Sequence, residues 1–248
     1  MTVDLDLQLA YALMVLLGVA LLLVFRPAAA YASSERRQYW QLQGYTMLGA
    51  IFGAKLVVLM GDAEWPLKPY DDWLGLVTSG RSIVGALLFG FLVAEALKPV
   101  LGYKLPPNDK FAMILPFSIA TGRLGCWLSG CCLGIPMEGP LAVAGLDGVP
   151  RFPAPLVEMA FHVAAGLALI ALWRRKILVG RLFALYLVAY GIFRFASEYW
   201  RETPKGFAGY SAYQWFCIAM IVCGGMALYL RRERGQSPFL QPELTHGG

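Results

Sequence analysis

The sequence predicts an all-α integral membrane protein. It reads as seven transmembrane helices, with the N-terminus outside, the C-terminus cytoplasmic and the outer-face loops covering a site. Three observations predict this. The chain is 58% hydrophobic and only 15% charged, whereas soluble domains run about 45–50% apolar and about 25% charged. Apolar runs long enough to cross a bilayer, roughly 20 residues each, recur along its 248 residues. The loops between them alternate in charge, as the positive-inside rule requires. The net charge of +5 sits in particular loops, so it reads as a topology signal and no nucleic-acid partner is expected.

Taken in order, the first run is Leu7–Phe25, stopped by Arg26-Pro27. Asp4 and Asp6 precede it with no Lys or Arg. A secretory signal needs a positive start, so this run is expected to stay in the mature protein. The second is Leu42–Met60, the third Ile83–Leu101, the fourth Phe111–Leu128. The fifth, Pro155–Trp173, opens on a proline, which suits a first helical turn. The sixth is Leu182–Trp200 and the seventh Ala212–Leu230. Residues 7–230 thus form one polytopic domain spanning the chain, and 231–248 a polar cytoplasmic tail.

The odd loops carry the positive charge: Arg26, Arg36 and Arg37, then Lys98, Lys104 and Lys110, then Arg174-Arg175-Lys176 with Arg181. The tail begins Arg231-Arg232-Glu233-Arg234. The second loop holds Asp62, Glu64, Asp71 and Asp72 against Lys68 and Arg81, and the fourth has only Arg151 as a positive. The odd loops and tail are therefore cytoplasmic. The outer end of the fourth helix, the outer end of the sixth and the start of the fifth then share one outer-leaflet region.

Thr121–Gly134 interrupts the apolar filler there. It places Arg123 among Gly122, Gly125, Gly130 and Gly134. An intramembrane arginine needs a partner or a water-filled cavity, although long basic side chains also snorkel to the interface. Glycines admit a close ligand or a close backbone. On the sixth helix Tyr190, Arg194, Glu198 and Arg201 are spaced i, i+4, i+8 and i+11, along one face. Glu198 neutralising both arginines would make a structural stripe. Two arginines against one carboxylate also invite an anion, and the guanidinium fork suits phosphate. Glu158, inside an apolar helix, is placed to balance Arg123 or Arg194, or to act as a base. His162, one turn on, reads as a satisfied core histidine. His246 lies in the polar tail.

Cys126, Cys131 and Cys132 form C-x4-C-C. A zinc site would need further Cys or His, and none is apparent, so neither a metal nor another cofactor is expected. Packing thiols, one bridge from Cys126 to Cys131 or Cys132, and a reactive thiolate near Arg123 all remain open. Cys217 and Cys223 read as core.

These segments resemble the prolipoprotein diacylglyceryl transferase family of bacterial inner membranes. Gly122-Arg-Leu-Gly125 through Gly134 is similar to the family signature Gly-Arg-(Ile/Leu)-(Gly/Ala)-Asn…Gly. Arg151-Phe-Pro-Ala-Pro-Leu-Val-Glu158 resembles its Arg-His-Pro-Ser-Gln-Leu-Tyr-Glu segment. Tyr190-Gly191 through Arg194, Glu198 and Arg201 resembles its Tyr-Gly…Phe-Arg…Glu-Phe-Phe-Arg helix. Gln214 matches the start of its last helix, and Gly49–Lys55 weakly resembles its second, with lysine at an arginine position. The resemblance covers about residues 45–230. Three positions depart from it: Val84 stands at a family histidine, Cys126 at the signature asparagine and Phe152 at the histidine of the Arg-His-Pro segment.

The resemblance implies transfer of a diacylglyceryl group from phosphatidylglycerol to the lipobox cysteine of a prolipoprotein, in the bacterial inner membrane, with the site toward the outer leaflet. It implies Arg123, Arg194, Glu198, Glu158 and Tyr190 as catalytic. It implies Gly122, Gly125, Gly134, Arg123, Arg201 and Gln214 as substrate-binding. Asp71 and Asp72 are outside candidates for the base. Two rival readings stand beside it: a transferase of the same fold with another acceptor, and a phospholipid-binding or transport protein. The sequence does not set the oligomeric state.

Overall fold

A computed structural model describes residues 5–24, 33–62, 82–103, 109–146 and 148–234. Among them are seven α-helices: α1 (Leu5–Val24), α2 (Ser33–Asp62), α3 (Ile83–Val100), α4 (Asp109–Leu128), α5 (Ala154–Arg174), α6 (Leu182–Ser197) and α7 (Ala212–Arg234). Five, namely α2, α3, α4, α5 and α7, are long and apolar enough to cross a membrane, and Leu9–Leu22 of α1 is a shorter apolar helix. Among the described residues the one sheet is a hairpin of two-residue strands, β1 (Val143–Ala144) against β2 (Pro150–Arg151). The helical surface is apolar on the outside as well: Leu13, Leu16, Leu48, Ile51, Phe52, Leu167 and Met226 are all exposed. An exterior of this kind is stable in lipid and not in water. The chain is a multi-pass membrane protein.

Three boundaries differ by three residues or more from those expected. Helix α2 begins at Ser33, not Leu42, because Glu, Arg and Gln continue a helix beyond the lipid-spanning part. The same holds for α7, which runs to Arg234 and takes in the first residues of the expected tail. Helix α6 stops at Ser197 rather than Trp200. A 3-10 turn, Glu198–Trp200, follows it and Arg201 is extended. The tighter turn lets the Glu198 carboxylate reach Thr203 and Ser211 further along. The expected i+11 position of Arg201 on the helix face is therefore not occupied. Asp71, Asp72, Arg81 and residues 235–248 lie outside the described residues.

The shortest helix is the central one. Eight of the 16 residues of α6 are buried, and Leu182, Ala184, Tyr186, Leu187 and Tyr190 enter a core shared with α3, α4, α5 and α7. Helix α2 packs on α3, α1 on α4, α4 on α5 and α6 on α7. The α2–α3 pair is closed by glycine against glycine. A Cβ on Gly85 would collide with the carbonyl of Gly53, and one on Gly53 with the carbonyl of Gly85 and with Phe89. Small residues at such crossings let backbones approach in lipid. Gly85→Leu should lower the detergent melting temperature, by an overpacking cost of about 1–3 kcal/mol. Gly225→Ala, where a Cβ meets nothing within 4 Å, should not. Thermal unfolding of both variants checks this.

The two ends of the bundle differ. At one end, Arg231 Nη2 bonds Glu95 Oε1 at 2.6 Å, Lys98 pairs with the same carboxylate, and the backbone N–H of Gly180 donates to Asp109 Oδ2 at 2.5 Å. The basic run Arg174–Lys176 is at this end too. At the other end α4 and α6 finish, and α3, α5 and α7 begin.

Candidate active site

Glu158 occupies the first turns of α5 and is 1% exposed. Three guanidiniums converge on it. Arg123 Nε, from the last turns of α4, pairs with Oε2. Arg201 Nη2 bonds Oε1 at 2.6 Å, and Arg194 Nε lies 3.4 Å from the same oxygen. Sequence spacing put Arg201 on the α6 stripe with Glu198. The structure instead sends it, through the 3-10 turn, across to α5.

Glu198 is the second anion and is fully buried. It pairs with Arg194 Nη1. Thr203 Oγ1 donates to its Oε1 at 2.6 Å and Ser211 Oγ at 2.8 Å. The two carboxylates thus face three arginines, and the cluster keeps one positive charge in excess. Arg194 also stands over the Tyr213 ring, 5.5 Å from its centroid, a cation–π arrangement.

Gln214 is buried at the start of α7. Its Oε1 accepts the Ser211 N–H at 2.9 Å, and its own N–H donates to Ser211 Oγ at 3.2 Å. This is a capping box at the start of α7. Gln214 supports Ser211, which holds Glu198, and its Nε2 donates to Phe195 O of α6 at 3.4 Å. The glycines divide as well. Gly125 lies against Met14 and Tyr11 of α1, and a Cβ on Gly134 would strike the Trp200 carbonyl and Phe152. Gly134 is the crossing point of three strands of chain: its N–H donates to Phe152 O, Ile135 N–H to Trp200 O, and the Phe152 ring stacks on Trp200 at 5.7 Å. Gly122 alone of the three borders open space.

Tyr190 and His162 are fully buried, with ring centroids 4.8 Å apart. Among the described residues the Tyr190 hydroxyl and His162 Nε2 have no hydrogen-bond partner, while His162 Nδ1 meets the Tyr186 hydroxyl at 2.9 Å. Tyr186, Thr203 and Ser211 were not singled out from the sequence. The i, i+4 pairs Glu158/His162 and Tyr186/Tyr190 are the signal that would have drawn His162 and Tyr186 in. Val84, at the family's histidine position, is core, 1% exposed.

Helix α4 ends in a glycine cap. Gly130 has φ +63°; its N–H donates to Trp127 O and the Cys131 N–H to Cys126 O, both at 3.0 Å. In this Schellman geometry the side chains of Cys126 and Cys131 are neighbours. Hydrogen bonds from Cys126 and from Cys132 hold the Cys131 thiol well below the usual thiol range. All five cysteines are unbridged.

Beside the charged cluster lies an apolar cavity of about 570 Å³ between α1, α4 and α5, lined by Leu21, Phe117, Leu124, Met159, Val163 and Ile170 among others. Leu124 and Met159 of its lining directly follow Arg123 and Glu158 in sequence, so α4 and α5 contribute to both the cavity and the cluster. Exposed Val163 marks its lateral edge.

The same two helices, α4 and α5, thus carry a buried arginine–carboxylate pair and the wall of an apolar cavity. The family model described as "Prolipoprotein diacylglyceryl transferase" matches residues 4–230. The chain belongs to this family. A phosphatidylglycerol–prolipoprotein diacylglyceryl transferase of Bordetella bronchiseptica is 32% identical over 248 aligned residues, covering 92% of each chain. Transferases of the same name from Methylibium petroleiphilum (33% identity, 79% of this chain and 78% of the relative) and Cupriavidus metallidurans (29%, 91% and 89%) are similar along most of their length. As a member of a diacylglyceryl transferase family, the chain has its ion cluster built from Arg123, the Arg151–Glu158 segment and the Tyr190–Arg201 segment. These are the segments that carried the resemblance.

Proposed function

We propose that this chain transfers an sn-1,2-diacylglyceryl group from phosphatidylglycerol to the thiol of a prolipoprotein lipobox cysteine. The thiol sulfur forms a bond to the glyceryl carbon as its proton is lost to solvent or to the departing phosphate, that carbon's bond to the phosphate oxygen breaks, and glycerol phosphate leaves. The observation that carries this reading is the excess positive charge of the Arg123–Arg194–Arg201 cluster around Glu158, two of whose helices, α4 and α5, also line the apolar cavity. The cavity is suited to acyl chains and the guanidiniums to the phosphate, whose charge grows as it departs. Glu158 and Glu198 are both engaged with arginines, so their fitting role is to hold the guanidiniums. Tyr190 contributes a buried hydroxyl with hydrogen-bonding capacity to spare. Gly122 leaves room beside Arg123 for the headgroup. Gly125, Gly134 and Gln214 fit a supporting role, through α1, the Phe152–Trp200 contact and Ser211.

The same proposal includes the arrangement in the membrane. Seven spans form a single domain of the bacterial inner membrane, with the N-terminus and the site on the outer side. Supporting this, the site is at one end of the bundle while Lys98, Arg174, Arg175, Lys176 and Arg231 gather at the other. A different acceptor within the same chemistry is the second reading, favoured by Val84, Cys126 and Phe152 at positions where the family carries other residues. A transporter would place polar groups through the membrane depth, and the one-ended cluster speaks against it.

Purified protein supplied with labelled phosphatidylglycerol and a lipobox peptide should yield a diacylglyceryl thioether. Val163→Trp, at the cavity edge, should lower kcat/KM for the lipid about tenfold, a loss of roughly 1.4 kcal/mol, while leaving peptide dependence unchanged. Saturable lipid binding without product would sink the transfer reading. Product with another nucleophile but none with the peptide would move the acceptor.

A further inference from the structure

The cap of α4 accounts for two neighbouring sulfurs. It does not account for the third. Cys132 lies beyond the cap, yet adopts φ +62°, a left-handed conformation that costs a non-glycine residue about 1–3 kcal/mol and persists only where its surroundings impose it. Its effect is to fold the chain back, so that the Sγ atoms of Cys126, Cys131 and Cys132 all lie within 4.8 Å of one another. Two of these cysteines would suffice for a bridge, and one for packing. Three convergent sulfurs graded from buried Cys126 to exposed Cys132 make a half-open cup.

We propose that Cys126, Cys131 and Cys132 form a binding site for a single thiophilic d10 cation, Zn²⁺ or Cu⁺, at the outer wall of the ion cluster. Thiolate donors select these ions over hard cations such as Mg²⁺ or Ca²⁺. Zinc–sulfur bonds of about 2.3 Å in tetrahedral geometry place sulfurs roughly 3.8 Å apart. The three thiols need draw in by at most about 1 Å, within the reach of side-chain torsions in a loop. All three sulfurs bind the cation as thiolates, and the protons still on them are released to solvent. Three thiolates around Zn²⁺ leave one negative charge, and around Cu⁺ two. The counter-charge is in place, since Arg123 Nη1 is 4.0 Å from Cys126 Sγ. Ser129 Oγ, 3.3 Å from Cys131 Sγ, supplies an outer hydrogen bond to a ligand sulfur, as metal sites require. Three protein ligands leave a fourth place for water or an incoming group on the Cys132 side. The sequence alone gave no reason to expect a metal, because spacing showed three candidate ligands but not that Cys132 turns back toward Cys126. The proposal does not depend on the identity of the acceptor.

The test is metal binding by the full chain, purified in detergent with a phosphine reductant. Zn²⁺ and Cu⁺ are titrated separately against chromophoric competitors, and Co²⁺ serves as a spectroscopic probe. One equivalent per chain is expected for one or both ions, and Co²⁺ should develop thiolate charge-transfer absorption. Cys126→Ser, Cys131→Ser and Cys132→Ser should each weaken binding by about tenfold or more, since even outer-shell partners cost that much. Cys217→Ser and Cys223→Ser should bind as the unsubstituted chain does. Because Cys132 is exposed, its variant is the one whose folding is least at risk. No stoichiometric binding, binding that survives the triple serine variant, or isolation of Cys126 in a disulfide with Cys131 or Cys132 would each overturn the proposal.

Discussion

Glu158→Gln will abolish transfer and destabilise the protein more than any other single exchange at the site. The carboxylate is 1% exposed and in contact with Arg123, Arg194 and Arg201. Glutamine keeps its size and removes its charge. Three guanidiniums then have only Glu198 as an anion, and the excess charge of the cluster rises from one to two. Removing one partner of a buried ion pair costs about 3–5 kcal/mol, against a total stability of about 5–15 kcal/mol for a typical domain. The detergent melting temperature should fall sharply and product formation should vanish. Glu198→Gln should be milder for stability, because Thr203 and Ser211 still satisfy Oε1 by hydrogen bonds. A Glu158→Gln protein that melts like the wild type and still turns over would refute the picture of one carboxylate holding three arginines.

Arg123→Ala should cost about 10²–10³ in kcat, the loss seen when one donor to a developing oxyanion is removed. Its effect on folding should be smaller than that of Glu158→Gln, because two arginines remain to neutralise the carboxylate. Arg123→Lys should not restore the rate. A lysine carries the charge but not the planar fork that grips a carboxylate with one edge and presents further donors beside it. Initial rates with labelled phosphatidylglycerol, compared at equal folded fraction, measure both variants. Full activity in Arg123→Ala would remove Arg123 from the site.

The sequence made the helices legible because lipid imposes a simple demand: long apolar runs ended by charge. It blurred where the demand stops. The polar turns of α2 before Leu42 and of α7 after Leu230 are helical for reasons of backbone propensity, which hydropathy does not register. The site was legible in its members but not in its pairings. Arg123, Glu158, Arg194 and Glu198 stood out as ionisable groups in apolar surroundings. The partner of Arg201 did not, because helical spacing assigned it to Glu198, and the 3-10 turn that carries it to Glu158 depends on Thr203 and Ser211 being in reach. Gln214 and Gly125 are implied as ligand contacts by the family pattern. The structure adds their neighbours, a capping box at α7 and a crossing with α1, which sequence spacing does not show.

The distribution of the ion pairs bears on how the chain enters the bilayer. Arg123 and Glu158 lie at the facing ends of α4 and α5, consecutive helices joined by a single loop. Arg194 and Glu198 lie one turn apart at the end of α6. Each arginine buried by a helix therefore travels with a counter-ion on the same helix or the next one made. An isolated arginine at the centre of a membrane helix costs about 2.5–3.5 kcal/mol on insertion, and a pre-matched pair avoids most of that cost at the moment of synthesis. The surplus cation, Arg201, lies beyond α6 in extended chain and need not be inserted in a helix at all. The surplus positive charge thus follows the internally paired helices α4 to α6, with α7 still to come.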